Sequence, residues 1–228
     1  MSQEPTMPDQ PNFELYVYWR TSAGYRVRVA LNLKGMKATE HFINLDAGDQ
    51  RSEAYLAINP LGGVPALVVD GGPVLTQSLA ILEYLDEIAP TPPLLPADPI
   101  GRARVRSICS MLAADTHPFI TPRVRQYLTT NASFDLVQWK AWQTHWFTTG
   151  LQAVEQRLAN DPATGTFCHG DTVTMADIVL ASIPAVMQVF GIAVAGIPTV
   201  DRIVAACTGL DAFQQAAPMK QVGAPKAA

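Results

Sequence analysis

Glu14-Leu15-Tyr16-Val17-Tyr18-Trp19-Arg20-Thr21-Ser22-Ala23-Gly24-Tyr25-Arg26-Val27-Arg28-Val29-Ala30-Leu31-Asn32-Leu33-Lys34-Gly35 is the stretch that decides the fold of this 228-residue chain. Its opening, Glu14 to Tyr18, is short and rich in β-formers, which predicts a strand. From Gly24 to Lys34, the residues Val27, Ala30, Leu31 and Lys34 recur at helical spacing. Ser22 stands where an N-cap is wanted and Gly35 follows as a stop. A strand feeding directly into a helix is the first half of an α/β unit.

Outward from there, a second strand is expected around His41 to Asn44, then a polar loop from Asp46 to Ser52 and a short helix near Tyr55. Ala66–Val69 and Val74–Leu75 flank Asp70-Gly71-Gly72, a hairpin signal. Ser78 to Ile88 closes the unit as a helix with one apolar face, so residues 13–89 read β-α-β-α-β-β-α. Residues 90–99 hold five prolines and serve as a linker, because proline cannot continue a helix ladder. Residues 100–228 change character: Ile100 to Ala114 and Phe134 to Leu158 have helical spacing and few β-like runs remain. Thr174 with Asp177 resembles a capping box, Val173 can act as its staple, and Asp177 is read as a cap rather than a catalytic acid. The fold class is α/β plus all-α, in two units. Residues 1–12 are polar, contain proline and read as a loose tail, neither a signal nor a transit peptide.

Bulk composition narrows the function. Apolar residues make up 48% and charged residues 16%, which suits a packed core. A formal charge of −4 argues against a nucleic-acid partner. No apolar run reaches the roughly eighteen residues of a membrane span. Cys109, Cys168 and Cys207 are far apart and odd in number, so they are read as buried thiols, with neither a disulfide framework nor a metal site. Their usage points to the cytoplasm.

Three local features could carry chemistry. Arg20-Thr21-Ser22-Ala23-Gly24 puts a hydroxyl pair at a helix N-terminus, where unpaired N–H groups and a partial positive charge can stabilise a thiolate. No cysteine occupies the spot, so such a thiol must arrive with a ligand; a plain helix cap is the alternative. In Asn59-Pro60-Leu61-Gly62-Gly63-Val64-Pro65, a cis Val64-Pro65 bond would turn the Val64 N–H and C=O outwards, ready to pair with an extended peptide. A turn proline gives the same dipeptide. Gln77-Ser78 opens a helix with a hydroxyl, an N–H and a side-chain amide, a seat for a carboxylate. Together they describe one peptide site, with a thiol at the first helix, backbone at Val64 and a carboxylate at Ser78.

In the run from Arg20 to Gly35, in Asn59 to Leu67, in Gln77 to Glu87, in the proline-rich linker and in Gly170 to Asp177, the chain resembles zeta-class glutathione transferases, the group of maleylacetoacetate and maleylpyruvate isomerases. The resemblance runs from Phe13 to about Pro218. It implies a thioredoxin-like glutathione-binding domain followed by an all-helical domain that contributes the second-substrate site. Glutathione is the implied cofactor, a small and possibly carboxylated electrophile the partner, and a homodimer the assembly. Ser22 and Thr21 would hold the thiolate, with Ala23 where eukaryotic members often carry cysteine. Val64 and Pro65 would meet the cysteinyl backbone, and Gln77 with Ser78 the γ-glutamyl group. His117 matches a histidine aimed at glutathione, although a lone histidine is often merely packed; Arg20 and Arg123 match arginines that grip substrate carboxylates.

The resemblance thus implies cis–trans isomerisation by reversible thiolate addition. Val189 stands where a third arginine is expected, before Phe190, and Pro184 is expected to interrupt that helix. These departures keep open a transferase or dehalogenase acting on a less charged electrophile, and, in another class, a non-catalytic protein that binds glutathione or apolar ligands. Arg102, Arg104 and Arg106 are read as a solvated helix face. Trp139, Trp142 and Trp146 recur at helical spacing and are read as core or subunit packing rather than a ligand cage.

Overall fold

A computed structural model describes residues 11–226. The tail expected over residues 1–12 lies outside the described residues up to Gln10; Asn12 is tied to the hairpin by its N–H to Asp70 Oδ1 (2.7 Å). The first layer is a four-stranded sheet of β1 (Phe13–Val17), β2 (Ala38–Phe42), β3 (Ala66–Val69) and β4 (Val74–Thr76), in the order β2-β1-β3-β4. β1 runs parallel to β2 and antiparallel to β3, and β3 and β4 form the hairpin. Asp70 (φ 52) and Gly71 (φ 67) both take positive φ in its turn, as the Asp-Gly signal requires. β2 lies earlier than the expected His41–Asn44 because the parallel register pairs Phe13 with Ala38 and Val17 with Phe42. It is an edge strand with a largely exposed pattern, so it lacks the apolar alternation that marks a covered strand.

The helices of this layer are α1 (Ser22–Leu33), α2 (Glu53–Ile58) and α3 (Ser78–Ile88). After the prolines, α4 (Pro99–Ala113) starts from an Asp98 cap that accepts from the Gly101 N–H (2.7 Å). It is followed by α5 (Pro122–Asn131), α6 (Leu136–Ala159), α7 (Met175–Val189), α8 (Pro198–Thr208) and α9 (Asp211–Ala216). The architecture is a thioredoxin-like α/β layer with a helical C-terminal part.

α1 is the keystone. It is buried from Ser22 to Leu31 and packs against α3, α7 and α9. Gly24 lets it descend onto the sheet, since a Cβ there would come within 2.4 Å of Val17 Cγ2. α7, buried through most of its length, continues through Pro184 to Val189 rather than being interrupted. One missing N–H removes one ladder bond, and packing on every side holds the rest. At its start, Asp177 is fully buried and accepts from the Thr174 N–H (2.7 Å), Thr174 Oγ1 (2.8 Å) and the Cys168 N–H (2.7 Å). That is the helix-start role expected of it.

Of the α4 arginines read as a solvated face, Arg104 departs from that reading. Arg104 is buried and bonds Asp161, Thr164 and the Cys168 carbonyl. Arg106 makes a bidentate pair with Glu83 of α3. Helical spacing does not say that the segment around Asp161 and Cys168 covers Arg104 alone of the three. Cys109, Cys168 and Cys207 are free and buried. Among the described residues, no helix is long and apolar enough to cross a membrane.

Candidate active site

A cavity of about 430 Å³ lies between the sheet layer and the helical part. It brings together Arg20, Thr21, Ser22, Val64, Pro65, Gln77, Ser78, His117 and Arg123, so every site residue expected from the sequence stands on its wall.

At the start of α1 the cap falls one residue before the Ser22 expected to supply it. Thr21 is the N-cap: its Oγ1 accepts from the Gly24 N–H (3.3 Å) and donates to the Tyr18 carbonyl (3.2 Å). Ser22 is the first helical residue, 2% exposed, and its Oγ has no hydrogen-bond partner among the described residues. A buried hydroxyl left unpaired costs about 1–3 kcal/mol, so such a group calls for a partner. The uncommitted hydroxyl is therefore Ser22, at the positive end of the helix dipole.

Val64-Pro65 is cis. Neither the N–H nor the C=O of Val64 makes a hydrogen bond among the described residues. The preceding loop is fastened by the Gly63 carbonyl, which accepts from Tyr55 Oη (2.6 Å) and Asn59 Nδ2 (2.8 Å). Gln77 takes a φ of 68°, a left-handed conformation that costs a non-glycine residue on the order of 1–3 kcal/mol. It delivers Ser78 to the first turn of α3, where Ser78 is buried on the cavity wall.

The helical part supplies the other wall. His117 begins a 3₁₀ turn, His117–Ile120, behind Thr116, whose Oγ1 donates to the Met111 carbonyl (2.8 Å). α6 presses on this turn through Gly150: a Cβ there would lie 2.2 Å from Thr116 Oγ1. Burial, reinforced by the charges of Arg26 and Arg123, holds the His117 imidazole well below its ordinary pKa. It is neutral at physiological pH.

The cavity is electrostatically one-sided. Among the described residues, Arg20, Arg26, Arg51, Arg123 and Arg125 line it against a single carboxylate, Asp46. Asp46 is already engaged by Arg20 and by Tyr18 Oη (2.6 Å). Arg20 also lies 5.5 Å from the Tyr18 and Trp19 rings and 5.6 Å from Phe190, a cage that fixes its direction. Val189 does not line the cavity, but its neighbour Phe190 does.

Sequence reasoning missed Arg26, Gln50, Arg51, Trp139 and Phe190 as wall residues. Of the three tryptophans read as packing, Trp139 is buried and also lines the cavity. Trp142 donates to the Phe119 carbonyl and Trp146 stacks on Phe119, whereas Trp139 faces the cavity. Helical spacing groups the three on one side but does not say what that side meets. For Arg26 a signal was present: α1 carries two arginines in its buried stretch, and whereas Arg28 pairs with Glu40, Arg26 pairs with no carboxylate among the described residues.

Residues 23–88 match the family model of the glutathione S-transferase N-terminal domain. Over 216 residues the chain is 40% identical to the maleylacetoacetate isomerase of Pseudomonas aeruginosa, covering 94% of this chain and 100% of that one. Among solved structures, the maleylacetoacetate isomerase of Methylobacterium extorquens AM1, with bound malonate and GSH, superposes with a TM-score of 0.91 at 48% identity, covering 93% of this chain and 100% of that one. A bacterial maleylpyruvate isomerase, described as a glutathione S-transferase of the zeta class, gives 0.89 at 38% identity, covering 93% and 100%.

Proposed function

The chain belongs to the zeta class of the glutathione transferase family, and from that premise we propose that it is a glutathione-dependent cis–trans isomerase of maleylacetoacetate- or maleylpyruvate-type dicarboxylates. The observation that carries the reading is Ser22 Oγ, a buried and unpartnered hydroxyl at a helix N-terminus on the cavity wall.

The donor set fits the tripeptide. Ser22 meets the thiol end, the free N–H and C=O of Val64 meet the cysteinyl backbone beside Pro65, and Gln77 with Ser78 receive the γ-glutamyl carboxylate. Bound there, glutathione supplies a thiolate able to add reversibly to an activated double bond. Ser22 would hold that sulfur ionised by donating a hydrogen bond to it, its proton staying on oxygen, assisted by the α1 dipole. Thr21 keeps the helix end in place. Arg20 and Arg123 receive the substrate's carboxylates, and the unbalanced arginine field draws dianions in. His117, being neutral, can offer a hydrogen bond to charge developing on the substrate without adding a cation of its own. Trp139, Ile120, Val186 and Phe190 form the apolar wall that limits water.

Turnover of maleylacetoacetate or maleylpyruvate that requires glutathione tests the reading, and no turnover of either would defeat it. Val189 favours one second reading, a transferase or dehalogenase for a less charged electrophile. Conjugation of aryl halides or α-halo acids without isomerisation would select it. Arg20 and Arg123 on the cavity wall argue for the dicarboxylate. Homodimeric assembly and a cytoplasmic setting belong to the same proposal, and light scattering in solution tests the first.

A further inference from the structure

Arg26 is 1% exposed and lines the cavity one helical turn after Ser22. Its Nε donates to Ser182 Oγ of α7 (2.9 Å) and its Nη1 to Ser78 Oγ of α3 (3.2 Å), while Nη2 has no hydrogen-bond partner among the described residues. No carboxylate pairs with it among those residues. Burial pushes the guanidinium down to about 10, which leaves it charged at neutral pH. Of the titratable groups that sense it, Cys109 is pushed by burial up to about 12 and His117 is held neutral, so neither supplies an anion. A buried charge without a counter-ion is expensive, and proteins keep one where an anion is to be received.

The directions of the bonds say where. A serine hydroxyl has one hydrogen to donate and two lone pairs to accept with. Ser182 donates its hydrogen to the Val179 carbonyl (2.6 Å) and is thereby fixed as an acceptor for Arg26 Nε. Ser78 Oγ accepts from Nη1 and donates to nothing among the described residues. With that lone pair engaged, its hydrogen is left for an acceptor in the cavity.

We propose that Arg26 is a positioning residue of the glutathione site: anchored on Ser182, it orients Ser78 as a donor and serves as counter-cation to the γ-glutamyl carboxylate. The inference rests on the glutathione reading above. The rival role for Arg26 is a plain tie between α1 and α7.

Calorimetry on the full chain separates the two, using glutathione and γ-aminobutyryl-cysteinyl-glycine, the same tripeptide without the γ-glutamyl carboxylate. Wild type should prefer glutathione by about 10- to 100-fold, the range for hydrogen bonds to a charged group. In Arg26→Gln that preference should collapse toward unity while affinity for the analogue holds. Ser182→Ala, which keeps the charge but removes its anchor, should narrow the preference in the same direction, and it decides the matter if Arg26→Gln does not fold. An undiminished preference in a folded variant, or an equal loss of both ligands, overturns the proposal. Failure of wild type to bind glutathione overturns the parent reading instead, and is seen before any variant is made.

Discussion

Ser22→Ala should separate stability from chemistry. The hydroxyl has no partner to lose among the described residues, so its removal relieves an unpaired buried group and leaves the fold at least as stable. A gain of about 1 kcal/mol would raise Tm by about 2–4 °C in a chain of this size. The bound thiolate, however, loses a charge-assisted hydrogen bond of about 1.5–3 kcal/mol. At about 1.4 kcal/mol per unit, the thiol pKa in the binary complex should rise by roughly 1–2 units. Turnover at neutral pH should fall by about 10- to 100-fold, with a much smaller change in glutathione affinity. Thr21→Ala is the counterpart. It removes the cap on Gly24 and the bond to Tyr18, costing about 1 kcal/mol of stability while leaving the thiol pKa where it was. The assays are thiolate absorbance against pH in the binary complex, and thermal melts of the free protein. An unchanged thiol pKa in Ser22→Ala, or an equal rise in Thr21→Ala, would refute the division of labour between the two hydroxyls.

Gly150→Ala drives a methyl into Thr116 and displaces the His117 turn, so melts should show a loss of about 1–3 kcal/mol, with kcat/KM falling alongside. Arg123→Gln should raise KM for the dicarboxylate by about tenfold or more and leave glutathione affinity alone, as substrate kinetics beside calorimetry would show. The lowered His117 pKa fixes a pH dependence. Since the unfolded chain takes up a proton at about 6.5 and the folded one does not, the contribution of His117 to stability is full above that pH and is lost as pH falls below it. His117→Gln should therefore lessen the acid-side fall in Tm, and an identical fall in the variant would count against a neutral His117.

The order of elements in the first layer was legible because each carries a local device: the Asp-Gly turn, the serine opening α3, the glycine closing α1. β2 was misplaced because an edge strand is selected by pairing with β1 rather than by its own apolar pattern. The cap was assigned to Ser22 because either hydroxyl can cap a helix, and only the approach of the chain from Tyr18 chooses Thr21. The expected wall residues met in one cavity although each was read from a local motif without knowledge of packing. Arg26, Arg104 and Trp139 were read differently or not at all. Their surroundings come from segments far along the chain: Ser182, 156 positions from Arg26, and Asp161, 57 positions from Arg104.

The seating of α1 against α7 bears on how such enzymes can be recombined. A chimera that joins the sheet layer of this chain to the helices of a relative looks modular, because the cut falls in a proline-rich segment between the two. The bond from Arg26 to Ser182 crosses that cut. A donor helix lacking a hydroxyl at the position of Ser182 would leave the Arg26 guanidinium with one anchor fewer. Graft compatibility therefore depends on residues far from the seam as well as on the seam itself, Ser182 among them.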